Sequence, residues 1–439
     1  MSKILFLDVY KNTPFRISKD TNGGYGTCND LGSGLFPYLL SRIAKFSIFW
    51  PTVNTLNLIS ELLRCGHEVA YSNSSDDFDN SIDFVFLPIS IVSFNTERDA
   101  IKKLINKNHN IKIFCYGSFV EHAKDLLNHP NVSLIFGEPE FLAINQKLNS
   151  SNLNLLHEVK HVHSPYGDPD LLAPSLWADL DLPSMRHFLH GNLSESAPII
   201  ATRGCPYSCA EYCTYPLQQG SAPRSVSPEK LIEDINYISK NRNVKNYIFR
   251  DPVFTINKKY SKALLLEIDK KLNKNFNFTI ETHLNNMNDD MIELAKNANI
   301  TQIKFGIESS SEEVLSDVKR YNIAKEKQVD RIEKLKKAKM RTTAFYILCQ
   351  PSDTRETIVN TVNYAKELKT NLAQFSLFTP YPGTPYYKKI KDKILTNNFE
   401  KFTQFDLVFK HDLFSPKQAK SILGYAYQKY YLGIAKPNF

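Results

Sequence analysis

Short apolar runs alternate with amphipathic segments over about the first 150 residues, and this alternation is typical of a parallel sheet with helices on both faces. Two amphipathic segments also carry end signals. Residues 54–65 stop at Gly66, as a helix with a glycine cap does, and residues 96–107 begin at Thr96, a good N-cap residue. The predicted strands are residues 4–9, 68–71, 84–88, 111–116 and 133–136.

Ligands of such sheets bind at the carboxyl ends of the strands. Seven small or polar residues follow these ends and are expected on one rim: Ser90, Ser93, Thr96, Gly117, Ser118, Gly137 and Glu138. The glycine-rich stretch at 22–34 lacks the Gly-Lys-Ser/Thr of a phosphate loop. It is either a lid near a substrate or an ordinary long loop.

A second alternating series follows, with predicted strands at 199–202, 246–250, 277–281, 302–306, 342–348 and 374–379. Its predicted helices are residues 228–240, 259–272, 289–298, 325–337 and 354–368. Six strands alternating with helices predict a partial (β/α)6 barrel with its chemistry at the C-terminal rim. We therefore expect an α/β domain at 1–150, a connector at 151–195, the barrel at 196–390 and a helical cap at 391–439.

Composition indicates a globular, multi-domain protein, because 42% of the 439 residues are hydrophobic and 23% are charged. The apolar stretch at 36–50 is interrupted by Arg42 and Lys45 and is shorter than the roughly 20 residues of a membrane span. The N-terminal residues lack a cleavable signal pattern, so we expect a cytoplasmic protein. The net charge of +8 is spread along the chain, which makes nucleic acid a less favoured partner than a small molecule.

Three of the seven cysteines, Cys205, Cys209 and Cys213, lie together directly after the first predicted barrel strand. Three thiolates can ligate three irons of a [4Fe-4S] cluster and leave the fourth iron open. A zinc site is the alternative, but zinc sites usually close with a fourth ligand, and no partner cysteine pair is present in the sequence. Unligated, reduced thiols are the remaining alternative.

The chain is similar to the radical S-adenosylmethionine (SAM) superfamily, and its domain order resembles the cobalamin-binding class of that superfamily. The matching stretches are RGCPYSC at 203–209, FRDPVFT at 249–255, KFGIESSSEEVL at 304–315, FTPYPGTP at 378–385, LRCGHEV at 63–69, GEPE at 137–140 and AYQKYY at 426–431. The cysteines are separated by three and three residues, whereas the family usually has three and two.

The resemblance implies that the open iron chelates SAM and that one electron cleaves its carbon–sulfur bond. It also implies contacts to SAM from Tyr212, directly before the third cysteine, and from residues at the strand ends: Arg250, Asp251, Glu281, Glu308, Ser309 and Gln350. Alternatives stay open for some of these residues. Arg250 and Asp251 could form a structural ion pair, Glu308 could cap the following helix, and Glu281 could face the substrate.

Cobalamin is implied at the rim of the front sheet, without a histidine ligand from the Asp-x-His-x-x-Gly motif, which is absent. Three functions remain in competition. The first is methylation of an unactivated carbon in a small molecule, lipid, sugar or peptide, with flavodoxin or ferredoxin as reductant. The second is a radical cyclisation or rearrangement without methyl transfer, and the third is a non-catalytic metal-binding scaffold.

Overall fold

The computed structural model describes residues 1–19, 24–146, 148–187, 195–207, 211–437 and 439, and within them the chain forms two six-stranded parallel sheets. The strands of the front sheet are Lys3–Leu7, Glu68–Ser72, Phe84–Pro88, Lys112–Tyr116, Val132–Phe136 and His161–His163. In space the second strand lies outside the first, and the other four follow in chain order on the first strand's opposite side. The five predicted strands are all present, and the sixth comes from the segment predicted as a connector.

Helices pack on both faces of the front sheet, which is why Phe84–Pro88 is buried at every position. The helices of this half are Leu35–Ser47, Val53–Arg64, Phe94–Lys107, Val120–Ala123, Pro139–Gln146 and Ser150–Glu158. Gly66, at φ 84°, ends the helix before it, as predicted. The prediction that Thr96 is an N-cap is wrong, because Ser93 occupies the N-cap position and Thr96 lies inside the first turn.

The second sheet curls into a partial barrel whose six strands are parallel and paired in chain order, so the predicted α/β fold class is confirmed. The strands are Glu195–Ile199, Val244–Phe249, Asn277–Glu281, Ile300–Glu308, Arg341–Leu348 and Leu372–Leu377. The helices are Tyr215–Gln219, Pro228–Asn241, Lys258–Lys271, Asp289–Asn297, Glu312–Asp317, Lys325–Lys337, Arg355–Leu368, Pro385–Lys389 and Pro416–Leu432.

The C-terminal helix Pro416–Leu432 covers the open edge of the last barrel strand with tyrosine hydroxyls. Tyr427 Oη accepts a hydrogen bond from Phe375 N at 3.1 Å and donates one to Phe375 O at 2.9 Å. Tyr431 Oη makes the same pair with Ala373, at 3.1 and 3.0 Å. The hydroxyls thus satisfy backbone groups that a seventh strand would otherwise take.

Residues 10–50 lie in sequence between the first front strand and helix Val53–Arg64, and those that the structure describes, 10–19 and 24–50, extend over the mouth of the barrel. They contain a short antiparallel hairpin, Ile17–Ser18 with Thr27–Cys28, and a two-residue strand, Ile48–Phe49, paired with Arg186–His187. We call residues 10–50 the N-terminal segment. Among the described residues, no helix has both the length and the apolar character that crossing a bilayer requires.

Candidate functional site

The cysteine loop begins directly beyond the first barrel strand and is closed on itself by backbone contacts. Gly204 N donates to the side chain of Gln219 at 3.2 Å, and Cys205 N donates to Gly220 O at 3.1 Å. Gly204 has φ 79°, and a Cβ there would meet Ala222 O at 2.2 Å, so only glycine fits before Cys205. This explains the glycine of the RGCPYSC stretch.

Cys205 is buried and Cys213 is partly exposed on this loop, while Cys209 lies outside the described residues. Among the residues that the structure describes, no three histidines, cysteines or acids form a group that could hold a metal ion. Two of the three predicted cluster ligands, Cys205 and Cys213, thus lie on one loop at the carboxyl rim of the barrel.

A buried ion network ties this loop to the front sheet. Arg203, which precedes Gly204, pairs with Glu138 at 2.8 Å and with Glu140 at 2.7 Å, and all three side chains are almost fully buried. Arg224 also pairs with Glu138 at 2.7 Å. Burial is the main reason that the pKa of Glu140 is raised to about 7, against the opposing effect of Arg203. Glu138, predicted as a cobalamin contact, is instead part of this network.

Beside the cysteine loop the barrel encloses a cavity of about 440 Å³. Four of the seven predicted SAM contacts line it: Tyr212, Arg250, Glu281 and Glu308. Cys213 lines it as well, so the cavity reaches the cysteine loop. The volume is within the ~300–1,000 Å³ of ordinary small-ligand sites.

Glu308 is directed into the cavity by an irregular strand end. It has φ 65°, and a Cβ at Gly306 would lie 2.0 Å from Glu308 Oε1, so the glycine leaves room for the carboxylate. Arg320 lies 3.5 Å from Glu308 Oε1. Burial raises the pKa of Glu308 above its usual value, and Arg320 opposes that rise.

The other three predicted SAM contacts are absent from the cavity wall. Asp251 accepts hydrogen bonds from the backbone N–H groups of Ala201 and Thr202, and burial raises its pKa to about 6. Ser309 is buried in a turn, where its hydroxyl accepts from Ser311 N at 3.1 Å. Gln350 is fully buried, and its backbone N donates to Asp353 at 2.9 Å. In this structure these residues shape strand ends and do not face the cavity.

Several cavity residues went unpredicted: Arg16, Trp50, His187, Gln302 and Lys304. A signal for two of them exists in the fourth barrel strand, where polar Gln302 and Lys304 alternate with buried Ile303 and Phe305. In a barrel strand this period of two separates inward from outward positions. Arg16 and Trp50 had no such signal, because the N-terminal segment has no regular period.

The cavity wall contains three cationic side chains, Arg16, Arg250 and Lys304. Burial lowers the pKa of Arg16 to about 10, and repulsion from Arg250 adds to this effect. Burial likewise lowers the pKa of Lys304 to about 8, helped by Arg250 and Arg16 and opposed by Glu281. The cations are thus close enough to disfavour each other's charge.

The rim of the front sheet is covered by the chain itself. Lys19 of the N-terminal segment pairs with Asp8 at 2.7 Å and with Glu97 at 2.9 Å, and none of these side chains is exposed. Ser90 gives both its N–H and its hydroxyl to Glu97, each at 2.7 Å. Ser93 accepts from Lys11 N at 3.3 Å. Two of the hydroxyls predicted to meet cobalamin, those of Ser90 and Ser93, therefore have partners within the chain, whereas the buried Ser118 hydroxyl has none among the described residues.

The neighbouring loop of the front sheet is covered in the same way. Ile91 N donates to Gly24 O at 2.8 Å, and a Cβ at Gly24 would lie 2.4 Å from Ser118 Oγ. Gly117 is buried at φ 111°, whereas Gly137 is exposed beside Ser164. Gly24 of the glycine-rich stretch predicted as a lid or a loop is thus packed on this rim, whereas Gly32 packs on the C-terminal helix beside Leu423 and Gly424. The described rim residues are covered in part by the N-terminal segment, and Gly137 stays exposed.

Comparison with known proteins identifies the barrel. Residues 199–365 match the sequence profile of the radical SAM superfamily. An uncharacterized methyltransferase of Pyrococcus horikoshii is 31% identical over 236 residues, which are 53% of this chain and 51% of the relative. The bacteriochlorophyllide d C-12(1)-methyltransferase of Chlorobaculum tepidum is 25% identical over 227 residues, 51% of this chain and 48% of the relative. The chain spans about half the length of these curated relatives.

Among solved structures, the cobalamin-dependent S-adenosylmethionine radical enzyme OxsB, with aqua-cobalamin and S-adenosylmethionine bound, has the same arrangement of two α/β units. The TM-score is 0.65 at 12% identity, over 97% of this chain and 66% of that chain. At this identity the likeness is one of fold.

Proposed function

We propose that the chain, whose residues 199–365 match the radical SAM superfamily, uses a [4Fe-4S] cluster to cleave SAM and, with cobalamin, methylates an unactivated carbon of a small-molecule, lipid, sugar or peptide substrate. The observation that carries the proposal is the opening of the cysteine loop onto a cavity with charged side chains at the barrel's carboxyl rim. The methyltransferase names of two relatives support the methyl-transfer part.

The donor set suits the cluster and SAM. Cys205, Cys209 and Cys213 would hold three irons, and Cys213 borders the cavity in which SAM would lie. When bound, the cluster supplies one electron and SAM supplies a carbon radical that removes a hydrogen atom from the substrate. A flavodoxin or ferredoxin is the proposed electron donor.

The cavity residues have chemistry that matches the parts of SAM. The ring of Tyr212, held edge-on by Phe378 at 5.2 Å, offers an apolar face to adenine. The Glu308 carboxylate can accept hydrogen bonds from both ribose hydroxyls. Arg250 and Glu281 are the proposed contacts to the methionine part or to the substrate.

The remaining predicted contacts act on the site through the backbone. Asp251 would fix Ala201 and Thr202 at the start of the cysteine loop, because its carboxylate accepts from both N–H groups. Ser309 and Gln350 would stabilise the turns after their strands. We also propose that the front domain extends past residue 150 to include the strand His161–His163.

Cobalamin is the proposed methyl carrier, and the rim of the front sheet is the proposed place for it. Ser90 and Ser93 of this rim have partners within the chain, whereas the buried Ser118 hydroxyl has none among the described residues. Because part of the rim is covered in this way, the second candidate function is a radical cyclisation or rearrangement without methyl transfer, with cobalamin as redox partner or absent. The two candidates differ in their product, since only methyl transfer adds one methylene to the substrate mass.

The test of the proposal is anaerobic reconstitution with iron and sulfide, followed by electron paramagnetic resonance and an assay for 5'-deoxyadenosine with SAM and dithionite. The Cys205→Ala, Cys209→Ala, Cys213→Ala triple variant should lose both signals. Cys65→Ala, in a helix cap away from the loop, is the control and should keep them. A triple variant that still makes 5'-deoxyadenosine contradicts the proposal.

A second measurement separates the candidate functions. The reconstituted protein is incubated with hydroxocobalamin and passed through a desalting column, and retained cobalamin is read by absorbance. Stoichiometric retention supports the cobalamin assignment, which methyl transfer requires, and the product mass then separates the two candidates, because only methyl transfer adds one methylene. Absence of retention, with 5'-deoxyadenosine still formed, favours the cyclisation or rearrangement.

A further inference from the structure

The wall of the barrel cavity has more positive than negative charge. Three cations line it, Arg16, Arg250 and Lys304, against two carboxylates, Glu281 and Glu308. Arg320 lies close to Glu308 and opposes the rise in its pKa. Among the described lining residues, the three cations are thus opposed mainly by Glu281.

Two guanidinium groups, those of Arg16 and Arg250, stack on the indole ring of Trp50. The Arg16 guanidinium carbon lies 5.4 Å and that of Arg250 lies 5.8 Å from the Trp50 ring centroid. His187 stacks on the same indole at 5.5 Å with an interplanar angle of 9°. Such stacking fixes the planar guanidinium of Arg16 in place and leaves its N–H edge available for a ligand.

Arg16 is held here by the N-terminal segment, since its carbonyl accepts from Asn29 N at 2.9 Å across the hairpin. Its Nε is buried and has no hydrogen-bond partner among the described residues. A buried guanidinium N–H without a hydrogen-bond acceptor lowers the stability of the fold unless a ligand accepts its hydrogen bond. Bringing several cations together in a small cavity costs more, and such clusters are found where an anion binds.

The cofactors of the proposed function bring one anionic group, the carboxylate of SAM, which the open iron of the cluster would chelate. A [4Fe-4S] cluster with three thiolates has a net negative charge in its oxidised form, and SAM has a net positive charge from its ammonium and sulfonium groups. Together they add little net charge to the cavity. The positive wall therefore remains for a third molecule.

We propose that the cavity binds its substrate through a carboxylate or phosphate group, which the stacked guanidinium of Arg16 grips with Arg250 and Lys304 beside it. The substrate class is then an acidic small molecule. This inference rests on the proposed function, because the radical formed at the cysteine loop must reach the same molecule. Bidentate contacts from a guanidinium would fix the distance between the anionic end and the reacting carbon.

The test uses the full chain with its cluster oxidised and SAM present at saturation, without reductant, so that no turnover occurs. Inorganic phosphate and succinate are titrated separately by calorimetry, one as the phosphate probe and the other as the carboxylate probe. At least one should bind. Arg16→Gln should weaken that binding about tenfold to a hundredfold, as expected for a charge-assisted hydrogen bond.

Two further variants serve as controls for the loss of anion binding. Arg42→Gln, on the N-terminal segment but outside the cavity wall, should bind the anion as the unmodified protein does. Arg16→Lys keeps the positive charge but loses the forked guanidinium, so its affinity for the anion should lie between that of the unmodified protein and that of Arg16→Gln. It also serves as the test if Arg16→Gln fails to fold. The probe that binds more tightly identifies the anionic group.

Three outcomes overturn the inference: neither probe binds, Arg16→Gln and Arg16→Lys both bind as tightly as the unmodified protein, or binding is seen only when SAM is omitted. The last outcome would assign the cations to the SAM carboxylate. Because no reductant is present, these results are independent of the 5'-deoxyadenosine assay. A chain that binds the anion but makes no 5'-deoxyadenosine fails the proposed function and keeps the anion site.

Discussion

Arg203→Met should destabilise the protein strongly, because Arg203 neutralises two buried carboxylates at the junction of the two sheets. Its guanidinium lies 2.8 Å from Glu138 and 2.7 Å from Glu140, and the three side chains are at most 1% exposed. Glu138 keeps Arg224 as a partner at 2.7 Å in the variant. Glu140 loses its ion-pair partner while it remains in a site without water.

Breaking a buried ion pair on one side costs about 3–5 kcal/mol, which is a large part of the ~5–15 kcal/mol that stabilises a typical domain. The assay is urea unfolding followed by circular dichroism, since urea does not screen charges. Arg331→Met is the control, because its partner Asp289 is exposed to solvent, and the urea midpoint should barely change. Arg203→Met with Glu140→Gln should recover part of the loss, because the orphaned charge is removed.

The destabilisation should depend on pH in a defined direction. Glu140 has its pKa raised to about 7 in the folded chain, so the folded state holds this proton more tightly than the unfolded state does. Without Arg203 the pKa rises further. The loss in Arg203→Met should therefore be largest above pH 8 and shrink as the pH falls to 6. An Arg203→Met midpoint as close to the unmodified protein as that of Arg331→Met would refute the reasoning.

Three further results are expected. Lys19→Met leaves Asp8 and Glu97 facing each other without a cation, so it should lower the urea midpoint. This loss should be greater at pH 8 than at pH 6, because the pKa of Glu97, already about 7 from burial, rises further in the variant. Equal losses at both pH values would contradict this. Tyr427→Phe removes two hydrogen bonds to the edge strand and should cost about 1–3 kcal/mol by urea unfolding, whereas an unchanged midpoint would show that water replaces the hydroxyl. The affinity of the cavity for the anion, measured by calorimetry, should fall as the pH rises through about 8, where Lys304 loses its proton. An affinity that does not change from pH 7 to 9 would exclude Lys304 from the anion site.

Most strands of both sheets could be predicted from the sequence, because buried parallel strands are continuous apolar runs separated by helices with a different period. The first barrel strand is an exception, since it is Glu195–Ile199 and shares only Ile199 with the predicted strand at 199–202. The third barrel strand, Asn277–Glu281, has the predicted bounds. The strand His161–His163 could not be found this way, since three residues with one buried valine have no detectable period.

The candidate site was predictable in part, for a physical reason. Side chains that end barrel strands, such as Glu281 and Glu308, face the cavity because strand ends converge there. Asp251 also follows a strand end, but its carboxylate turns back to the Ala201 and Thr202 amides. Local sequence does not specify whether such a side chain faces the cavity or turns back to the backbone. Arg16 reaches the site through tertiary packing alone.

The N-terminal segment gives one wall of the barrel cavity although it branches from the front sheet. A barrel excised from residue 195 onward would consequently open its reaction chamber to bulk water on that side. Exchanging residues 10–50 between homologous enzymes would alter which molecules enter while leaving the cysteine loop untouched. Selectivity in this architecture can thus change through one segment, while the loop proposed to generate the radical stays the same.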